Sequence, residues 1–209
     1  NETLINVMNW HPDEIILLPL YPQFSTTTSG SSLKSWKKEV DMKKYKVPTK
    51  IICCYPEDKD FISAHVHEIN KVLNIAKNKN KKKKDIRLLF SAHGLPEKII
   101  KKGDPYQNQV EKTVSKVVDS LNNNEFLHTI CYQSKVGPLK WIGPSTEEEI
   151  IKASKKNEVI ILIPIAFVSE HSETLVELDI EYKEVALNNG CEVYLRAPAL
   201  GKHDFFIKS

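Results

Sequence analysis

The chain has 209 residues, of which 41% are hydrophobic, and a formal charge of only +3, so it can bury a core and is not disordered throughout. Its longest apolar runs, 15–20 and 159–168, are too short and too broken by proline to cross a bilayer of roughly 30 Å. Its basic charge is lysine, with Arg87 and Arg196 the two arginines, which argues against nucleic-acid reading, and four scattered cysteines without an export leader point to a reducing cytoplasm.

In chain order, residues 15–20 form a short continuous apolar run and predict a strand buried on both faces. A hydroxyl-rich loop at 25–32 follows, then a helix over 33–45. Residues 50–54 predict a strand, which would turn Cys53 and Cys54 to opposite faces and prevent joint metal binding. Apolar positions at mostly helical spacing predict an amphipathic helix over 58–78. The lysine run at 77–84 has no interleaved aromatic and reads as a solvated loop, with contact to an anionic partner, such as a membrane surface or a nucleic acid, as the alternative.

A second series opens with a strand at 86–90 and continues as helix 110–121, strand 127–132, helix 146–153, strand 158–167, helix 172–188 and strand 192–197. Alternating strands and helices imply a mainly parallel sheet covered on both faces. Ligands then bind beyond the carboxyl ends of the strands, in the loops that start at Tyr21, Ser91, Gln133 and Ser169.

Three segments there carry chemistry. His93 lies at a strand's carboxyl end beside a glycine that permits close approach of a ligand. Glu173, Glu177 and Glu181, spaced by four, line one helical face, as either a solvated acidic face or a cation path. The segment 131–144 gathers hydroxyl, amide, ammonium and indole groups between glycines and prolines, as a pocket wall or a rigid crossover.

Five motifs in order resemble the ferrochelatase family: Leu18-Pro-Leu-Tyr-Pro-Gln-Phe-Ser25 with Thr28-Ser-Gly-Ser-Ser32; Phe90-Ser-Ala-His-Gly-Leu-Pro96; Gly103-Asp-Pro-Tyr106; Tyr132-Gln-Ser-Lys-Val-Gly-Pro138 with Trp141-Ile-Gly-Pro144; and Pro164-Ile-Ala-Phe-Val-Ser-Glu-His-Ser-Glu-Thr-Leu175 with Glu177-Leu-Asp-Ile-Glu181. The resemblance implies a chelatase-like α/β protein, with flavodoxin-type parallel sheets, flanking helices and two lobes, the first of them incomplete. It divides the chain into a first-lobe remnant (1–84), a second lobe with the catalytic pair (85–190) and a last strand and tail (191–209).

The implied reaction is insertion of Fe2+ into a dicarboxylic porphyrin, protoporphyrin IX, in haem biosynthesis; the alternative is an inactive fragment that at most binds porphyrin weakly. By matching position, His93 and Glu173 resemble the catalytic pair and contact the metal, with Glu177 and Glu181 as the outer metal row. Tyr21, Ser25, Lys135, Val136, Trp141 and His171 resemble substrate-pocket residues, His171 also supporting Glu173. The partners are the porphyrin and ferrous iron, the latter as substrate, without nucleic acid. An iron–sulfur cluster is not expected, since Thr26 stands where animal relatives place a cluster cysteine and no cysteine follows Cys191. The family's opening strand, glycine-rich loop and porphyrin-clasping lip have no counterpart here.

Overall fold

A computed structural model of the chain describes residues 2–121, 126–135 and 137–209. The larger sheet has four parallel strands in the order β4–β3–β5–β6; β3 is Ile86–His93, β4 Leu127–Gln133, β5 Val159–Pro164 and β6 Tyr194–Arg196. Its strands are apolar at successive positions because both faces are covered. Leu88, Phe90, Ile161 and Ile163 point to a core shared with α3 (Lys59–Lys79) and α5 (Tyr106–Ser120), which contribute Phe61, Ile69, Leu73, Val110, Val114 and Val117. Leu89, Cys131, Ile160 and Leu162 point the other way, against Ile150 and Ala153 of α6 (Thr146–Lys155) and Leu178 and Ala186 beyond β5. Each fully buried aliphatic or phenyl side chain contributes about 1.5–3 kcal/mol, so these two layers are the main source of stability.

The helices begin and end for local reasons. Asp58 caps α3, its carboxylate accepting the N–H groups of Asp60 and Phe61 at 2.9 Å each. At the far end Asn80 closes a turn by accepting the Lys84 N–H at 2.9 Å, and Lys82 and Lys84 pair with Glu192 at 2.8 and 2.9 Å.

Ahead of this sheet lie α1 (Glu2–Trp10), β1 (Ile15–Leu17), α2 (Ser29–Lys43) and β2 (Thr49–Ile51), with β1 and β2 paired in parallel. Here the structure corrects three expectations. The strand predicted at 15–20 is three residues long and buried only at Ile15, while Ile16 and Leu18 are exposed, because its two-stranded sheet is not covered on both sides. The strand predicted at 50–54 ends at Ile51, so Cys53 and Cys54 sit in the following loop with their sulfurs 3.0 Å apart rather than opposed. Burial, reinforced by Cys53, pushes the Cys54 thiol up to about 11.

The helix predicted over 172–188 is α-helical only in its second part, α7 (Tyr182–Asn188); Glu173–Glu181 forms a π-helix, a widened winding that is rare in proteins and concentrated at functional sites. Side chains from elsewhere anchor it. Tyr194 donates its hydroxyl to the Leu178 carbonyl at 2.7 Å, and Arg196 grips Asp179 through two bonds of 2.6 and 2.8 Å. Two short helices without a sequence signal, α4 (Glu97–Lys101) and α8 (Asp204–Lys208), complete the chain. Among the described residues no helix is long and apolar enough to cross a membrane.

Candidate active site

Because the four strands are parallel, β3, β4 and β5 end along one edge, with His93 level with Gln133 and Ser91 level with Pro164. A cleft of about 770 Å³ opens there, between the loop after β1 (Leu20, Tyr21, Gln23, Ser25, Thr27, Thr28), the end of β3 (His93, Leu95), Tyr106, and the segment from Ala166 to Glu173. Its walls mix aromatic and aliphatic groups with convergent polar ones, as a small-molecule binding site requires.

Two side chains face each other in it. His93 Nε2 lies 3.8 Å from Glu173 Oε2. The other ring nitrogen, Nδ1, donates to the Gly94 carbonyl at 2.7 Å, which commits the proton of the neutral ring to that side and leaves the Nε2 lone pair pointing at the carboxylate. With metal–ligand distances of about 2.1 Å, one divalent ion can touch both groups. Gly94 is required here: a Cβ on it would lie 3.0 Å from the Gln133 carbonyl and 3.1 Å from the Trp141 ring.

Glu173 is positioned by its neighbours. Its N–H donates to His171 Nδ1 at 3.2 Å, and the His171 ring packs edge-on against Phe167. One winding further on, Glu177 accepts from Gln133 Nε2 (2.9 Å), Ser134 Oγ (2.8 Å), Ser134 N–H (3.1 Å) and the Tyr182 hydroxyl (2.9 Å). Burial first, and then Glu177 itself, raise the Tyr182 pKa, so that hydroxyl stays a donor. Gln133 in turn accepts from Ser91, which contacts Thr146, so a buried polar chain runs from the sheet to Glu177. Glu181 is exposed at the end of the row.

The predicted residues are only partly brought together. Tyr21, Ser25, His93, His171 and Glu173 line the cleft; Lys135, Trp141, Glu177 and Glu181 do not, although the Trp141 ring centroid is 6.5 Å from that of His93. Lys135 is exposed, and Val136 lies outside the described residues. Ser25 is buried, its hydroxyl bonded to Asp104 at 3.0 Å.

Asp104 is the functional residue missed among the sequence candidates. Its carboxylate also accepts the Thr26 N–H (2.7 Å), the Thr26 hydroxyl (2.6 Å) and the Tyr106 N–H (3.0 Å), tying two cleft walls together. Burial pushes its pKa up, but these hydrogen bonds prevail and hold it below the ordinary aspartate value. An Asp between Gly103 and Pro105 at a helix start was the available signal. Gln23, buried and bonded to Thr113 at 3.1 Å, had none.

The site is thus a parallel sheet with a metal-capable His–Glu pair at its strand ends, an arrangement set on a chelatase-type fold. The fold is shared with SirB from Bacillus subtilis, solved with Fe3+ (TM-score 0.64, 11% identity, 97% of this chain and 70% of that one). It is shared too with CbiX, the terminal enzyme for biosynthesis of siroheme in denitrifying bacteria (TM-score 0.52, 14% identity, 94% and 72%). The family is decided by sequence: a ferrochelatase family model matches residues 1–209, and the chain belongs to that family. It is 57% identical over 209 residues to the ferrochelatase of Pelagibacter ubique and 50% identical over 208 residues to that of Rickettsia typhi. All of this chain is covered in both comparisons, but only 59% and 57% of the relatives, so it spans less than two-thirds of their length.

Proposed function

We propose that the chain carries the metal-inserting site of a ferrochelatase, which places Fe2+ in a dicarboxylic porphyrin, protoporphyrin IX. The observation behind this reading is the His93 Nε2 lone pair facing Glu173 at 3.8 Å within the cleft. Insertion exchanges two pyrrole N–H protons for Fe2+, which sheds water as it enters the ring. His93 Nε2 accepts a pyrrole proton, and the Glu173 carboxylate contacts the incoming metal and passes the second proton outward. Tyr21 and Ser25 flank the macrocycle, with His171 behind Glu173, and Lys135 and Trp141 lie outside the cleft wall on the β4 side. Glu177 and Glu181 continue the acidic row toward solvent. Iron stays ferrous throughout, so no resident iron–sulfur cluster is called for. We place the reaction in the cytoplasm, with the lysine run as a peripheral membrane contact.

One observation favours the second reading, an inactive fragment with weak porphyrin binding: Leu20 and Tyr21 are 58% and 47% exposed, so this wall of the cleft is open to solvent. The deciding experiment measures porphyrin metallation by absorbance, anaerobically with Fe2+, for this chain and for a chimera in which the N-terminal portion of the Pelagibacter relative precedes it. The chimera turns over, and His93→Ala in it lowers kcat by about 10²- to 10⁴-fold. Retention of more than about a tenth of kcat would remove His93 from the chemistry. Porphyrin fluorescence quenching without turnover in this chain, alongside an active chimera, assigns the second reading to the shorter form alone.

A further inference from the structure

Where α3 meets the turn before α8, three side chains outside the cleft converge. His67 Nδ1 and His203 Nε2 are 2.7 Å apart, and Glu68 Oε1 lies 3.3 Å from the first and 3.4 Å from the second. None of them lines the cleft. We propose that His67, Glu68 and His203 form a second metal site, for a divalent transition ion of the Zn2+, Co2+ or Fe2+ class.

The distances support this directly. Ligands at about 2.1 Å from a tetrahedral ion are about 3.4 Å apart. Two edges of the triangle already have that length, and only the edge between the imidazoles is shorter. A proton explains the short edge. His203 Nδ1 accepts the Phe205 N–H at 3.2 Å, so the neutral ring carries its proton on Nε2 and donates it to His67 Nδ1. A metal ion takes the position of that proton as the rings part by about 0.7 Å to the tetrahedral edge. The His203 proton moves to Nδ1, so the ring stays a neutral ligand and the exposed Phe205 N–H turns to water.

The donors are those such an ion prefers, two imidazoles and a carboxylate. Glu68 and His203 are largely buried, with side chains 12% and 13% exposed, while His67 at 48% leaves a path from solvent. Without metal, a cation already neutralises the carboxylate: Lys71 Nζ sits 2.8 Å from the same Glu68 oxygen. The site joins α3 to the chain's last helix, whose Phe206 packs near Tyr55 and Phe61. Metal binding therefore couples to docking of α8.

The test uses the 209-residue chain with Cys53→Ser and Cys54→Ser, and with His93→Ala and Glu173→Gln, so that thiolates and the insertion site do not compete. Co2+ is titrated by calorimetry and visible absorption. The expected result is one equivalent bound, with a nitrogen–oxygen ligand spectrum and a raised Tm. His67→Ala with His203→Ala weakens Kd by 100-fold or more, and the isosteric Glu68→Gln weakens it by about tenfold. Lys71→Ala tightens it by removing a competing cation. Circular dichroism checks that each variant is folded. Absence of a stoichiometric Co2+ equivalent, or unchanged Kd and spectrum in a folded Glu68→Gln or His67→Ala variant, overturns the assignment. Porphyrin enters nowhere, so the outcome is independent of the insertion reading.

Discussion

Asp104→Asn is a near-isosteric change whose effect follows from four hydrogen bonds. One carboxylate oxygen accepts from Thr26 N–H, Thr26 Oγ and Ser25 Oγ, and the other from Tyr106 N–H. Bonds to a charged acceptor are worth about 1.5–3 kcal/mol each and neutral ones about 0.5–1.5, so three bonds kept on the amide oxygen lose about 1 kcal/mol apiece. The amide NH2 then faces the Tyr106 N–H, leaving a buried donor without an acceptor at a further 1–3 kcal/mol or so. Discounted for shared geometry, the expected loss is about 2–4 kcal/mol, a large part of the roughly 5–15 kcal/mol by which domains are stable. Urea unfolding followed by circular dichroism measures it at pH 7. The pH dependence gives a second reading. The folded-state pKa of Asp104 is depressed, so its contribution is present above the unfolded value near 3.9 and is lost as pH falls through the folded one. The gap between wild type and variant therefore narrows below about pH 4. A gap under about 0.5 kcal/mol at neutral pH, or one unchanged down to pH 3, would refute the reasoning.

Three further outcomes are expected. In the full-length chimera, Glu181→Gln raises the apparent KM for Fe2+ in a salt-sensitive way and leaves Tm unchanged; Glu177→Gln also lowers Tm, because it places an amide among four donors. A porphyrin KM that moved instead would make the row a plain acidic surface. Gly94→Ala forces the Trp141 ring or the β4 carbonyl aside and destabilises by about 1–3 kcal/mol in urea unfolding; a neutral result would mean that the loop yields freely. The exposed Ile16, Leu18, Leu20, Ile51 and Ile52 make the chain self-associate at micromolar concentration, measured by light scattering; Ile16→Thr with Ile51→Thr reduces this, and a monomer at about 100 µM contradicts it.

Sequence alone determined the parallel sheet, because the apolar runs at 88–90 and 159–163 belong to strands buried on both faces, and the helical spacing in α3 and α5 marks the faces that cover them. It also placed His93 at the end of a strand and Glu173 in the segment after another, since strand, loop and helix order is a local property of the chain. The tertiary structure decided what local periodicity does not record. A spacing of four in Glu173, Glu177 and Glu181 suits an α-helix, yet anchors from β4 and β6 accompany a π-helix there and hold Glu177 among Gln133, Ser134 and Tyr182. An apolar run at 15–20 predicts burial, but burial needs a second covering layer, and only Ile15 finds one. Asp104 meets Thr26 across 78 residues, and His67 meets His203 across 136. Such pairings arise when packing of the apolar core brings distant loops within hydrogen-bonding distance, which neither partner's neighbours in sequence encode.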